Sequence, residues 1–185
     1  PMSIMVGTGR GAHAGVLIKN AEALEVMEKV DTILVDKTGT LTEGRPKLVQ
    51  VKALHGDEHE VLTIAASLEA GSEHPLATAI LAGAKVRGIE PRKAQDFTAA
   101  TGKGVRGNVD GGEVALGNRA LMDEVGASTT QAEADAEQMR ANGQTAMFVA
   151  RDGEVIGLVA VADPIKADAA AALRALHADG IRVVM

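Results

Sequence analysis

Asp31-Thr-Ile-Leu-Val-Asp36-Lys37-Thr38-Gly39-Thr40-Leu41-Thr42 is the stretch whose reading decides the fold. Its first half is a short apolar run that closes on an acid. Its second half is a loop of hydroxyl residues around one glycine. The pattern predicts a buried parallel strand delivering Asp36 to the carboxyl edge of a sheet, where α/β folds place their ligands. A carboxylate in that position can act as a nucleophile on a phosphoryl group and become an aspartyl phosphate. Lys37, the hydroxyls of Thr38 and Thr40 and the loop N–H groups could then hold the phosphate oxygens. A strand-end Asp that only caps a turn is the plainer alternative, and the specificity of Asp-Lys-Thr-Gly-Thr weighs against it.

Working outward, residues 1–18 are rich in glycine and read as a connector; a GxGxxG phosphate loop fails there because position 12 is Ala. Asn20–Val30 reads as a helix capped by Asn20, with Ala23, Leu24, Met27 and Val30 at helical spacing. Beyond Pro46, Lys47–His55 predicts a strand. Asp57–Ala70 and Leu76–Val86 predict helices, the second with Pro75 at its first position. Two hairpins follow the turn signals Asp110-Gly111-Gly112 and Asp152-Gly153: Val105–Val109 with Glu113–Leu116, and Thr145–Arg151 with Glu154–Ala162. Helices over Asn118–Val125 and Thr130–Asn142 separate them. An Ala-rich helix, Ala167–Ala178, ends at Gly180 and leads into a strand, Ile181–Met185. Hairpins build antiparallel sheet, whereas parallel strands need crossovers. The chain therefore reads as nested: βαβ-like pieces at both ends (Asp31–Thr42, Lys166–Met185) bracket an inserted α+β block, joined through Gly44-Arg45-Pro46 and Asp163-Pro164.

The chain has 185 residues, 46% of them apolar, and a formal net charge of -6. No dense Lys/Arg run stands out, which argues against a nucleic-acid partner. Cysteine is absent, as expected of a reduced, cytosolic protein, and thiolate metal sites are thereby excluded from this stretch. No apolar run is long enough to cross a bilayer, and Pro1–Lys19 does not read as a signal peptide. A start without Met and an apolar ending on Val183-Val184-Met185 read as an excised piece of a longer protein. Phe97 and Phe148 are the two aromatic residues, so stacking on a base would fall to one of them. His55 and His59 lie four apart and could bind a metal, although a solvated turn entering a helix accounts for them more simply.

Asp36-Lys-Thr-Gly-Thr-Leu-Thr42 resembles the phosphorylation motif of P-type ATPases, carried on the haloacid dehalogenase-like fold. Phosphatases of that superfamily place a second Asp, a general acid and base, two positions after the nucleophile. Thr38 occupies that position here, which favours a pump over a phosphatase. Glu69-Ala-Gly-Ser-Glu-His74-Pro75-Leu76 is similar to the adenine-site motif of heavy-metal P-type ATPases, although by composition alone His74 is simply a residue near a helix cap. The resemblance implies that Glu69 and His74 orient the nucleotide. It implies the same role for Gly102 and Gly104, for Gly117 and Asn118, and for Asp163 in Asp163-Pro164-Ile165-Lys166 at the hinge.

The implied fold is α/β: a partial haloacid dehalogenase-like (Rossmann-type) phosphorylation domain with an inserted α+β nucleotide-binding domain on an antiparallel sheet. The boundaries expected are a juxtamembrane connector over 1–18, phosphorylation domain over 19–46 and 163–185, and nucleotide-binding domain over 47–162. The implied function is the ATP-binding cytosolic region of a heavy-metal pump, with copper(I) as cargo bound elsewhere and a membrane domain as partner. ATP would phosphorylate Asp36, with Lys37 and Thr38 assisting and Mg²⁺ held by Asp36 and Thr38. The family's later Thr-Gly-Asp, Gly-Asp-Gly and Asn-Asp pieces are expected beyond Met185, so this stretch is expected to bind ATP without running the cycle. A haloacid dehalogenase-class phosphatase or phosphotransferase is the alternative.

Overall fold

The computed structural model describes residues 2–185, and these fall into two compact units: Thr42–Ile165, and the flanking residues up to Leu41 together with Lys166–Met185. The larger unit is built on one six-stranded antiparallel sheet. Its strands, numbered along the whole chain, are β2 (Lys47–Ala53), β3 (Ala94–Ala100), β4 (Gly104–Val109), β5 (Gly112–Gly117), β6 (Thr145–Arg151) and β7 (Glu154–Ala162), in the spatial order β2-β7-β6-β5-β4-β3. Both predicted hairpins form, with β4 against β5 and β6 against β7. The sequence reading missed β3, whose run Ala-Gln-Asp-Phe-Thr-Ala-Ala carries no alternation and only one large apolar residue.

Helices α3 (Glu58–Glu69) and α4 (Pro75–Val86) cover one face of this sheet; α5 (Arg119–Glu124) and α6 (Glu133–Ala141) cover the other. The central strands serve both layers by alternation. Met147 and Val149 of β6 and Val159 and Val161 of β7 join Leu62, Ile64, Leu68 and Ile80. Phe148 of β6 and Leu158 of β7 join Leu121, Met122 and Met139 behind. Burial on both faces is why β6 and β7 read as nearly continuous apolar runs.

The second unit holds α1 (Met2–His13), α2 (Ala21–Met27), β1 (Thr32–Leu34), α7 (Ala169–Ala178) and β8 (Arg182–Val184). Asn20 caps α2 by accepting from the Glu22 N–H at 2.8 Å. The stretch read as a connector is helical over Met2–His13, with none of its residues buried. β1 pairs in parallel with β8, Ile33 opposite Val183. The parallel direction matches the expectation, but the partner comes from the far end of the chain and not from a local βαβ piece. Nor is the strand buried: Leu34 is 80% exposed. With β8 as the one neighbour among the described residues, no second layer closes over Leu34.

Candidate functional site

Strand β1 ends just before Asp36, which lies exposed at the head of the turn Lys37–Thr40. Thr38 (φ -77°, ψ 122°) and Gly39 (φ 77°, ψ -14°) are the two central residues of a type II turn. The second central position of that turn needs positive φ, so glycine belongs there. Lys166 donates from Nζ to the Gly39 carbonyl at 2.8 Å and so ties the turn to the returning chain. Lys166 belonged to a motif quoted from the sequence, but its contact with this turn was not foreseen. Asp36 and Thr38 offer oxygen donors, the hard ligands that Mg²⁺ takes. Among the described residues no three His, Asp or Glu gather as a ready-made metal cage. Two protein donors suit an ion that fills its octahedron with phosphate oxygens and water.

The second group of residues forms at the carboxyl end of α3. Glu69, the last residue of that helix, is only 5% exposed, and its Oε2 has no hydrogen-bond partner. Desolvation raises its carboxyl above the ordinary value of 4.5, against the opposing pull of the Ser72 hydroxyl and the charge of His74. A carboxylate at a helix carboxyl terminus also opposes the helix dipole. Burial, an orphaned oxygen and the wrong end of a dipole thus coincide on one side chain, and such local conflicts concentrate at functional sites. Glu133 Oε2 and Gln144 Oε1 are orphaned as well, but on residues only half-buried.

His74 is the N-cap of α4, its Nδ1 accepting from the Leu76 N–H at 3.2 Å. An accepting Nδ1 carries no proton, so in the neutral ring Nε2 is the donor, on a residue that is exposed. The plain reading of His74 as a cap residue therefore holds, and the cap leaves one nitrogen for a ligand. Ser72, which accepts from the His74 N–H at 3.2 Å, completes the turn.

Gly102, Gly104, Gly117 and Asn118 meet in one knot beside the β3–β4 turn. Gly104 and Gly117 are paired across β4 and β5. A methyl on Gly104 would stand 2.1 Å from the Leu116 carbonyl oxygen, and one on Gly117 2.2 Å from that of Lys103. These glycines are thus demanded by the approach of two backbones. Asn118 caps α5, its Oδ1 accepting from the Leu121 N–H at 3.2 Å while its Nδ2 donates to the Gly102 carbonyl at 2.9 Å. The end of α3 lies over this hairpin, Gly71 against Phe97 of β3 and Leu68 against Gly107 of β4. The end of α3 and the residue after it thus pack against β3 and β4, whose connecting turn carries Gly102. Asp163 stands apart, after β7 near the opposite edge of the sheet. It accepts from the Thr42 hydroxyl (2.5 Å), the Gly44 N–H (3.1 Å) and the Arg45 N–H (3.1 Å), and clasps the two strands that enter and leave the unit.

Asp36 thus follows a strand paired in parallel and opens a type II turn. The model of the haloacid dehalogenase-like hydrolases matches residues 30–185. The chain belongs to that family. This haloacid dehalogenase-like chain is 54% identical over 186 residues to a copper-transporting P-type ATPase of Rhizobium leguminosarum bv. viciae, covering 100% of itself and 22% of that protein. It is 49% identical over 186 residues to a silver exporting P-type ATPase of Salmonella typhimurium, covering 100% and 23%. Among solved structures it matches a zinc-transporting PIB-type ATPase in the E2.Pi state with TM-score 0.85 and 34% identity, over 98% of this chain and 29% of that one. It also matches the catalytic domain of the CPx-ATPase CopB-B in a study of nucleotide binding, with TM-score 0.67 and 28% identity over 95% and 61%. The chain thus resembles the cytosolic catalytic region of heavy-metal P-type ATPases, and it spans less than a quarter of the length of these two curated relatives. No helix among the described residues is long and apolar enough to cross a membrane.

Proposed function

We propose that the chain is the ATP-binding part of a metal-exporting P-type ATPase on the cytosolic side of a membrane. In this reading Thr42–Ile165 is the nucleotide-binding domain, and the flanking unit is part of the phosphorylation domain. The observation that carries it is Glu69: a buried carboxylate whose Oε2 lacks a donor fits the exocyclic amine of adenine. His74 offers Nε2–H beside it, and Gly102, Gly104, Gly117 and Asn118 shape the neighbouring backbone. In the whole protein an Asp36 oxygen attacks the γ-phosphorus of ATP, the bond to the bridging oxygen breaks, and ADP leaves with that electron pair. Lys37 and the turn N–H groups orient and neutralise the phosphoryl oxygens. Mg²⁺, held by Asp36 and Thr38, supplies further neutralising charge when bound. Thr38 in place of an acidic acid/base slows hydrolysis of the aspartyl phosphate, so its energy can be coupled to transport. Copper(I) is the proposed cargo, in line with the copper-transporting relatives, and its ligands lie outside this stretch.

Calorimetric titration of the chain with ATP, with and without Mg²⁺, tests the binding half. Binding that needs no Mg²⁺ and is lost in His74→Ala is expected; binding indifferent to that variant refutes the assignment of the adenine site. In the whole protein, labelled ATP and metal should leave an acid-stable label that Asp36→Asn abolishes. Turnover of a simple phosphate ester by this chain would favour the phosphatase reading instead.

A further inference from the structure

We infer that Phe97 forms a wall of the adenine pocket and that a β-bulge puts it there. This rests on the nucleotide reading of the α3–α4 loop. Along β3 and β4, Gln95 faces Asn108 and Thr98 faces Arg106, so Asp96 and Phe97 together oppose Gly107. In an unbroken ladder Phe97 would face Arg106 and share its side of the sheet. That side is the one away from α3, because Arg106 and Asn108 alternate with Val105 and Val109, which pack in the α3 layer. One extra residue reverses the parity, and bulges re-aim side chains in this way. Asp96 accommodates it at φ 51°, in the left-handed region that is uncommon outside glycine and that Asp tolerates better than most residues. Asn108 Nδ2 holds its carboxylate at 3.4 Å.

The result is a ring laid on Gly71, whose added methyl would come within 3.3 Å of Phe97 Cγ and Cδ2. Gly71 sits between Glu69 and His74. The ring stays 36% exposed, whereas Phe148, the other aromatic, is fully buried and beyond the reach of any ligand. A strained bulge that holds an apolar ring at the surface, next to an orphaned buried acceptor, gains little for the core. It provides a flat apolar surface of the kind a purine covers.

The test uses the 185-residue chain. Phe97→Ala should weaken ATP, ADP and AMP alike by about tenfold, the loss typical of one stacked base, with circular dichroism unchanged. Phe97→Leu should fall between. The chain has neither Trp nor Tyr, so Phe97→Trp creates a single fluorophore, whose emission should change with ATP and saturate where the calorimetric titration does. Wild-type affinity in Phe97→Ala and a silent Phe97→Trp, with His74→Ala still defective, would overturn the role of Phe97 and leave the nucleotide reading standing. Absence of ATP binding by the wild-type chain would overturn both.

Discussion

Replacing Glu69 with Met should make the larger unit more stable at neutral pH. The wild-type carboxylate is buried with one oxygen unpartnered, a condition that costs about 1–3 kcal/mol. Methionine has a similar length and helix propensity and adds apolar burial. Against this stands the lost Ser72 contact, about 1 kcal/mol, in a half-buried turn where water can replace it. The net expectation is a gain of about 1 kcal/mol at pH 7. The sign with pH follows from the raised carboxyl. Where the folded state holds its proton more tightly than the unfolded state, stability falls as pH rises. The wild type therefore loses stability from about pH 4.5 upward through the folded value, and Glu69→Met does not. Their difference should be small near pH 4.5 and grow towards pH 8. Amide exchange in α3 across a urea series reads this unit separately from the smaller one. A variant less stable than wild type at pH 7, or an advantage that does not depend on pH, would refute the reasoning. On the proposed nucleotide reading the same variant should bind ATP more weakly, stability and function then opposing each other at this residue.

Gly104→Ala and Gly117→Ala should each destabilise the larger unit by about 3 kcal/mol or more, since the new methyl overlaps backbone and not a movable side chain; Gly102→Ala, with open space at φ 71°, should cost only about 1 kcal/mol. Urea midpoints of the three variants rank them, and equal losses would contradict the assignment of Gly104 and Gly117 to strand approach. Asp163→Ala removes the acceptor of three hydrogen bonds and should speed amide exchange at Gly44 and Arg45 by at least tenfold, an opening about 1.4 kcal/mol easier. Gly39→Ala places a Cβ at φ 77° in the type II turn and should cost about 1–2 kcal/mol locally; in the whole protein it should lower the yield of phosphorylated Asp36, while ATP affinity stays at the wild-type level.

Elements were legible in the sequence wherever one local signal sufficed. Asp-Gly turn signals between strand-like runs gave both hairpins, and Asn20, Asp57 and Pro75 marked helix starts that the structure keeps. What was not legible depends on relations between distant residues. Strand β3 is defined by its pairing with β4, and a bulge has no local signature, so neither the strand nor the side on which Phe97 emerges could be read from Ala-Gln-Asp-Phe-Thr-Ala-Ala. Asp36 could be placed at a strand end, but the exposure of Leu34 depends on which layers surround β1. The motif residues differ in the same way. For Gly104, Gly117 and Asn118 the structure supplies a sufficient reason in strand approach and helix capping, so their presence alone is weak evidence for a nucleotide. Glu69 is the reverse: burial, a missing partner and the helix dipole all act against it. A residue that folding alone would discard is stronger evidence for a ligand than several that folding requires, and for that reason the proposed nucleotide site is centred on Glu69.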